Sequence, residues 1–138
     1  MQATTYIFFD GKCLEALAFY EKALGAKIEF KMTYGESPAA AHVPAANHGH
    51  IIHARLRLGD TAILASDGTP DHPAGKAGRF AITLHVSTPA DAERLFAALS
   101  PGGEVTMAMG ETFFAERFGS VNDKFGIPWM VICEKRAR

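Results

Sequence analysis

One order of secondary-structure signals runs through this chain twice, and that repetition limits the fold more than any other feature. Residues 4–9 (TTYIFF) are β-branched and aromatic and read as a strand, broken by Asp10-Gly11. From residue 12 to 24, Cys13, Leu17, Tyr20 and Leu24 fall at helical spacing, with Ala16 and Phe19 beside them and Gly25 as the stop. Residues 27–34, 50–58 and 61–65 read as three strands, the last two joined through Gly59-Asp60. The second half repeats the plan. A strand at 80–86 precedes a helix opened by the hydroxyl of Thr88, Pro89 in its first turn and Asp91 three residues on. Ala92, Leu95, Phe96 and Leu99 form its apolar stripe, and Pro101-Gly102-Gly103 ends it. Strands follow at 104–109, 113–121 and 128–133, with a turn at 123–126.

The expected architecture is therefore α+β, two βαβββ modules in a single domain, 1–138. Module 1 covers about residues 4–66, a linker 67–78, and module 2 about 79–135. One such unit leaves a sheet face open, and pairing two of them gives a curved mixed sheet with a concave cup. A chain of 138 residues buries roughly two-thirds of its unfolded surface, so it needs no disulfide or metal staple. Its two cysteines, Cys13 and Cys133, form no CxxC and read as reduced thiols in a cytoplasmic protein. A net charge of −1 argues against a nucleic-acid backbone as partner. No run of 18 apolar residues is present to cross a membrane, and residues 1–5 show no secretory signal.

Candidate functional residues come from strand alternation. In 50–58, Ile52, Ala54, Leu56 and Leu58 share one face, and Ile51, His53, Arg55 and Arg57 the other. In 80–86, Ala81, Thr83 and His85 oppose the apolar residues. Polar residues on the open sheet face suit a ligand. The His53 imidazole suits hydrogen bonding or general-base chemistry near neutral pH. Arg55 and His85 are ligand-binding candidates, and an arginine there suits carboxylate or phosphate. Glu111 is a second catalytic candidate, as a base or as the partner of a histidine. Trp129 is either a stacking platform for a planar ligand or a core residue, and Tyr34 is a wall candidate at the edge of the loop. That loop, 36–49 (ESPAAAHVPAANHG), has no sustained period and reads as a long surface segment. His48, His50 and His53 imitate a metal cluster, but regular alternation sends His50 and His53 apart.

The duplicated pattern, with Phe19-Tyr20-Glu21-Lys22-Ala23-Leu24-Gly25-Ala26, resembles the vicinal oxygen chelate superfamily of glyoxalase I, bleomycin-resistance proteins and extradiol dioxygenases. It is most similar to the PhnB-like branch. Four stretches carry the likeness: 6–11 (YIFFDG), 52–55 (IHAR), 65–67 (ASD), and 111–130 from Glu111-Thr112-Phe113 to Asp123-Lys124-Phe125-Gly126 and Pro128-Trp129-Met130. The resemblance implies the glyoxalase/bleomycin resistance fold, a homodimer, and in catalytic members a divalent metal held by four His, Glu or Gln side chains. Aligned on Phe19-Tyr20, those positions fall at Thr5, His53, Ala81 and about Met130. Three of the four are not donors for such a metal. His53 is the one metal candidate, and no cofactor is assigned. Some members of the branch are labelled demethylubiquinone methyltransferases, but no glycine-rich nucleotide loop supports that activity here. The expected function is capture of a small polar or planar molecule in the cup. The alternatives are a metal-dependent glyoxalase- or dioxygenase-type enzyme on a small oxygenated metabolite and a degenerate member serving an oligomer or a protein partner.

Overall fold

The computed structural model describes residues 1–69 and 80–135, so most of the expected linker lies outside them. The chain divides into two units, Met1–Gly75 and Lys76–Arg138. In the first, β1 (Thr5–Phe8), α1 (Cys13–Leu24), β2 (Lys27–Thr33), β3 (Ile51–Leu58) and β4 (Thr61–Ser66) form a mixed sheet in the order β1-β4-β3-β2. In the second, β5 (Ile82–His85), α2 (Pro89–Leu99), β6 (Glu104–Gly110), β7 (Ala115–Asn122) and β8 (Pro128–Glu134) form a sheet in the corresponding order, β5-β8-β7-β6. Each sheet joins its first and last strands in parallel and the others antiparallel. The repeat expected from the sequence is thus an α+β fold of two βαβββ units.

Local chemistry sets the helix ends. Gly25 takes a left-handed φ of 69° and donates its N–H to the Glu21 carbonyl, while the Ala26 N–H reaches that of Tyr20. The Thr88 hydroxyl accepts the Asp91 N–H at 3.1 Å, and Pro89 follows it at the first helical position. The N-terminus of α1 has no capping side chain of its own. The buried Asp67 carboxylate supplies the acceptor, taking the Cys13 N–H at 2.8 Å. Asp67 opens the expected linker, yet it is part of the core of the first unit.

In unit 1, α1 packs on β2 and β3, and Cys13, Ala16, Leu17 and Tyr20 are buried with Ile7, Ala54, Leu56, Ile63 and Ala65. In unit 2, α2 packs on β7 and β8, with Leu95 and Leu99 buried as are Val121, Trp129 and Val131. Gly119 gives Phe96 of α2 room, because a Cβ there would come within 2.9 Å of the ring.

One expectation is corrected. Alternation puts Ile51 on the face of His53, but it is 1% exposed and buried like Ala54 and Leu56. The reason is a bulge: Met32 pairs His53 and Thr33 pairs Ile51, so Ile52 is an extra residue that reverses the alternation. Segment 36–49 is mostly exposed, as expected of a surface loop. It holds two short 3-10 turns, Pro38–His42 and Ala45–Asn47, the first capped by Ser37, and His48 Nε2 meets the Ala40 carbonyl at 2.9 Å.

Neither cysteine is in a disulfide, and both are buried. Burial, reinforced by the Asp67 carboxylate, pushes the Cys13 thiol up to about 12. The folded chain then keeps a proton that the unfolded chain loses near the usual thiol value, so stability falls as pH rises from that value toward about 12. A colorimetric thiol reagent at pH 8 should find no fast-reacting cysteine in the native protein and both in denaturant. Rapid native labelling would contradict the burial.

Candidate functional site

The sheet face of unit 1 opposite α1 carries two of the candidate side chains, His53 and Arg55. Strand register places Tyr6, Leu64, Arg55 and Phe30 in one row across β1, β4, β3 and β2. His53 lies beside this row, its Nδ1 2.9 Å from the Tyr6 hydroxyl, with the donor set by the imidazole tautomer. Ring centroids run from Phe8 to Tyr6 at 4.9 Å, Tyr6 to His53 at 5.7 Å and His53 to Phe30 at 6.0 Å. Tyr6, Phe8 and Phe30 are 39%, 48% and 44% exposed, so the rings form an open platform. Burial raises the Tyr6 phenol above its usual value, opposed by a hydrogen bond with Ser66. The phenol therefore stays protonated at neutral pH.

A charged cluster flanks the rings. The pairing of β2 with β3 passes from Ile28–Leu56 to Phe30–Arg55, leaving Glu29 as an extra residue. Its two oxygens accept from Arg55 Nε at 3.0 Å and Arg57 Nε at 2.7 Å. The hydrogen bond from Arg57, then that from Arg55, holds the Glu29 carboxyl below its usual value. Two guanidinium groups share one carboxylate, which leaves the cluster net positive.

The other candidates separate. Tyr34 is 6% exposed and its hydroxyl donates to the Gly68 carbonyl at 2.7 Å. Trp129 is 1% exposed and its Nε1–H donates to Asp123 at 2.8 Å, the placement expected of the core alternative. In both, a polar tip on a large ring satisfies a buried acceptor. In unit 2, exposed His85 lies 4.0 Å from Glu134 at a cleft of about 290 Å³ that also includes Val86, Ser87 and Ile132. Glu111, in the same unit, forms an exposed contact with Lys135 at 3.6 Å. Within unit 1, His48 and His50 diverge from His53: His48 meets Ala40, and His50 Nδ1 lies 3.2 Å from the Asn47 amide nitrogen.

The metal positions implied by resemblance also shift. Tyr6, not Thr5, stands beside His53, and Thr83, not Ala81, reaches Met130, Oγ1 to Sδ at 3.9 Å. Neither the phenol and imidazole of the first unit nor the hydroxyl and thioether of the second is by itself a donor set for zinc, nickel or iron. Among the described residues no group of three or more His, Cys, Asp or Glu side chains comes together to hold a metal ion. The family metal does not fit these residues.

Sequence reasoning missed Tyr6, Phe8, Phe30 and Glu29. The parity of Tyr6 and Phe8 around the apolar Ile7 was the available signal for two of them. Glu29 had none, because its position depends on a bulge.

Comparisons with known proteins agree on the relationship. The family model described as 3-demethylubiquinone-9 3-methyltransferase matches residues 1–132. Protein YjdN of Escherichia coli (strain K12) is 36% identical over 139 residues, spanning 95% of this chain and 94% of its own length. The crystal structure of PA1353 from Pseudomonas aeruginosa matches with a TM-score of 0.88 at 42% identity, over 99% of both chains. A PhnB protein from Bacillus cereus, carrying the same methyltransferase description, matches with a TM-score of 0.81 at 25% identity, over 96% of this chain and 99% of its own.

Proposed function

Because the chain belongs to the PhnB-like family described as 3-demethylubiquinone-9 3-methyltransferase, within the vicinal oxygen chelate superfamily and its glyoxalase/bleomycin resistance fold, we propose that it binds a small planar, polar molecule without a four-ligand metal site. The observation that carries this reading is the open row Phe8–Tyr6–His53–Phe30. A flat ring gains dispersion and quadrupole attraction by stacking on such a row, about 0.5–1.5 kcal/mol per aromatic contact. The Tyr6–His53 pair offers a donor and an acceptor to fix its orientation. A methyl transfer does not follow from these residues.

The test is a thermal-shift screen of planar fragments, with hits measured by calorimetry on wild type, Phe30→Ala and His53→Ala. Each substitution should weaken a true ligand about tenfold, the equivalent of one lost aromatic contact. Unchanged affinity in both variants would sink the proposal. The Tyr6–His53 bond also favours a second reading, metal-free proton transfer to or from the bound molecule. A ligand recovered chemically altered from wild type but not from His53→Ala would establish it. The proposal includes a homodimer and a cytoplasmic location, the latter supported by two cysteines that form no disulfide. Light scattering should read twice the 14.9 kDa chain mass.

A further inference from the structure

The ring row explains affinity for a flat molecule but not a choice among flat molecules, and the charged cluster beside it addresses that choice. We infer that Arg55 and Arg57 form an anion-recognition site on this face, that Glu29 is its resident competitor, and that the preferred ligand is a planar aromatic carboxylate. The inference rests on the planar-ligand reading above and names the ligand class for that site.

Register sets the geometry. Arg55 lies in the same row as Tyr6 and Phe30, directly opposite Phe30 on β2. A ring stacked on Phe30 and His53 thus brings a substituent toward the Arg55 guanidinium. Both arginines use Nε toward Glu29. Among the described residues, their terminal NH₂ groups remain as donors in the fork geometry that suits a second carboxylate. Arg55 and Glu29 side chains are 45% and 34% exposed, so an incoming anion reaches them from solvent. Glu29 keeps the arginines aligned in the absence of ligand and also lowers the positive potential an anion would feel. An ordinary surface ion pair would contribute little to stability and would not affect ligand choice. A resident competitor makes the opposite prediction, that its removal improves binding.

The experiment measures Kd by calorimetry for 2-naphthoate and for 2-naphthol, which is neutral at pH 7, on wild type, Glu29→Gln and Arg55→Ala. Wild type should prefer naphthoate by about tenfold, as expected of charge-assisted pairing. Glu29→Gln should tighten naphthoate several-fold and leave naphthol unchanged. Arg55→Ala should abolish the preference while naphthol still binds, and circular dichroism checks that both variants are folded. Equal wild-type affinities, or naphthoate weakened by Glu29→Gln, would overturn the inference and leave the planar-ligand reading standing. Failure of both probes to bind wild type would overturn both.

Discussion

Replacing Asp67 by alanine should destabilise the protein by about 4 kcal/mol, the sum of several buried charge-assisted hydrogen bonds discounted for non-additivity. Asp67 is 4% exposed. One oxygen accepts the N–H groups of Gly11 and Cys13 at 2.8 Å each, and the other accepts the Ile51 N–H at 2.8 Å. Its own N–H donates to the Ile51 carbonyl at 2.8 Å. One carboxylate therefore ties together the β1–α1 turn, the first turn of α1 and the start of β3. Alanine leaves two backbone donors near the helix start and one at β3 without their acceptor. Urea unfolding should show the midpoint falling by about 2 M, given a slope of roughly 2 kcal/mol/M for a domain of this size. Asp67→Asn keeps one carbonyl oxygen and should lose less. A shift below about 1 kcal/mol for the alanine variant would mean the three donors find other acceptors, such as water. The consequence reaches the proposed ligand face, because β1 carries Tyr6 and β3 carries His53. A folded Asp67→Ala protein should also bind planar probes more weakly.

This knot shows how far the sequence could be read. The stretch Ala65-Ser66-Asp67 signalled family likeness without revealing why an acid stands there, since its three partners are 16, 54 and 56 residues away in the chain, and only the fold brings them together. Elements with local causes were legible. The Gly25 stop, the Thr88 cap and the Gly59-Asp60 hairpin turn (φ 57° at Gly59) all follow from residues adjacent in sequence. The apolar faces were legible wherever alternation is regular. It fails at Ile52 and Glu29, where one extra residue reverses the phase, and bulges leave no mark that periodicity can detect. His53 and Arg55 share the face that alternation gives them because they lie beyond the Ile52 bulge in regular strand. The family alignment falls on Thr5, one residue from Tyr6, whose hydroxyl meets His53.

Asp123→Ala should be the second large loss, about 3 kcal/mol, and it distinguishes a structural Trp129 from a ligand-binding one. Asp123 is 3% exposed. One oxygen accepts the Phe125 and Ile127 N–H groups at 2.8 and 3.0 Å, and the other accepts Trp129 Nε1–H at 2.8 Å. The carboxylate thus shapes the turn between β7 and β8 and anchors the indole at the start of β8. Without it the indole N–H and two turn amides lose a charged acceptor in a buried setting, the costly side of hydrogen-bond energetics. Trp129 is the only tryptophan in the chain, so its fluorescence reports on this site alone. Native emission should be blue-shifted, as for a buried indole, and should move to the red in Asp123→Ala as water gains access. The same signal separates the two roles for the ring. A planar ligand stacked on Trp129 would quench or shift its emission. Strong quenching by a bound planar probe, with the affinity of Phe30→Ala unchanged, would return Trp129 to the ligand site and displace the ring row from it.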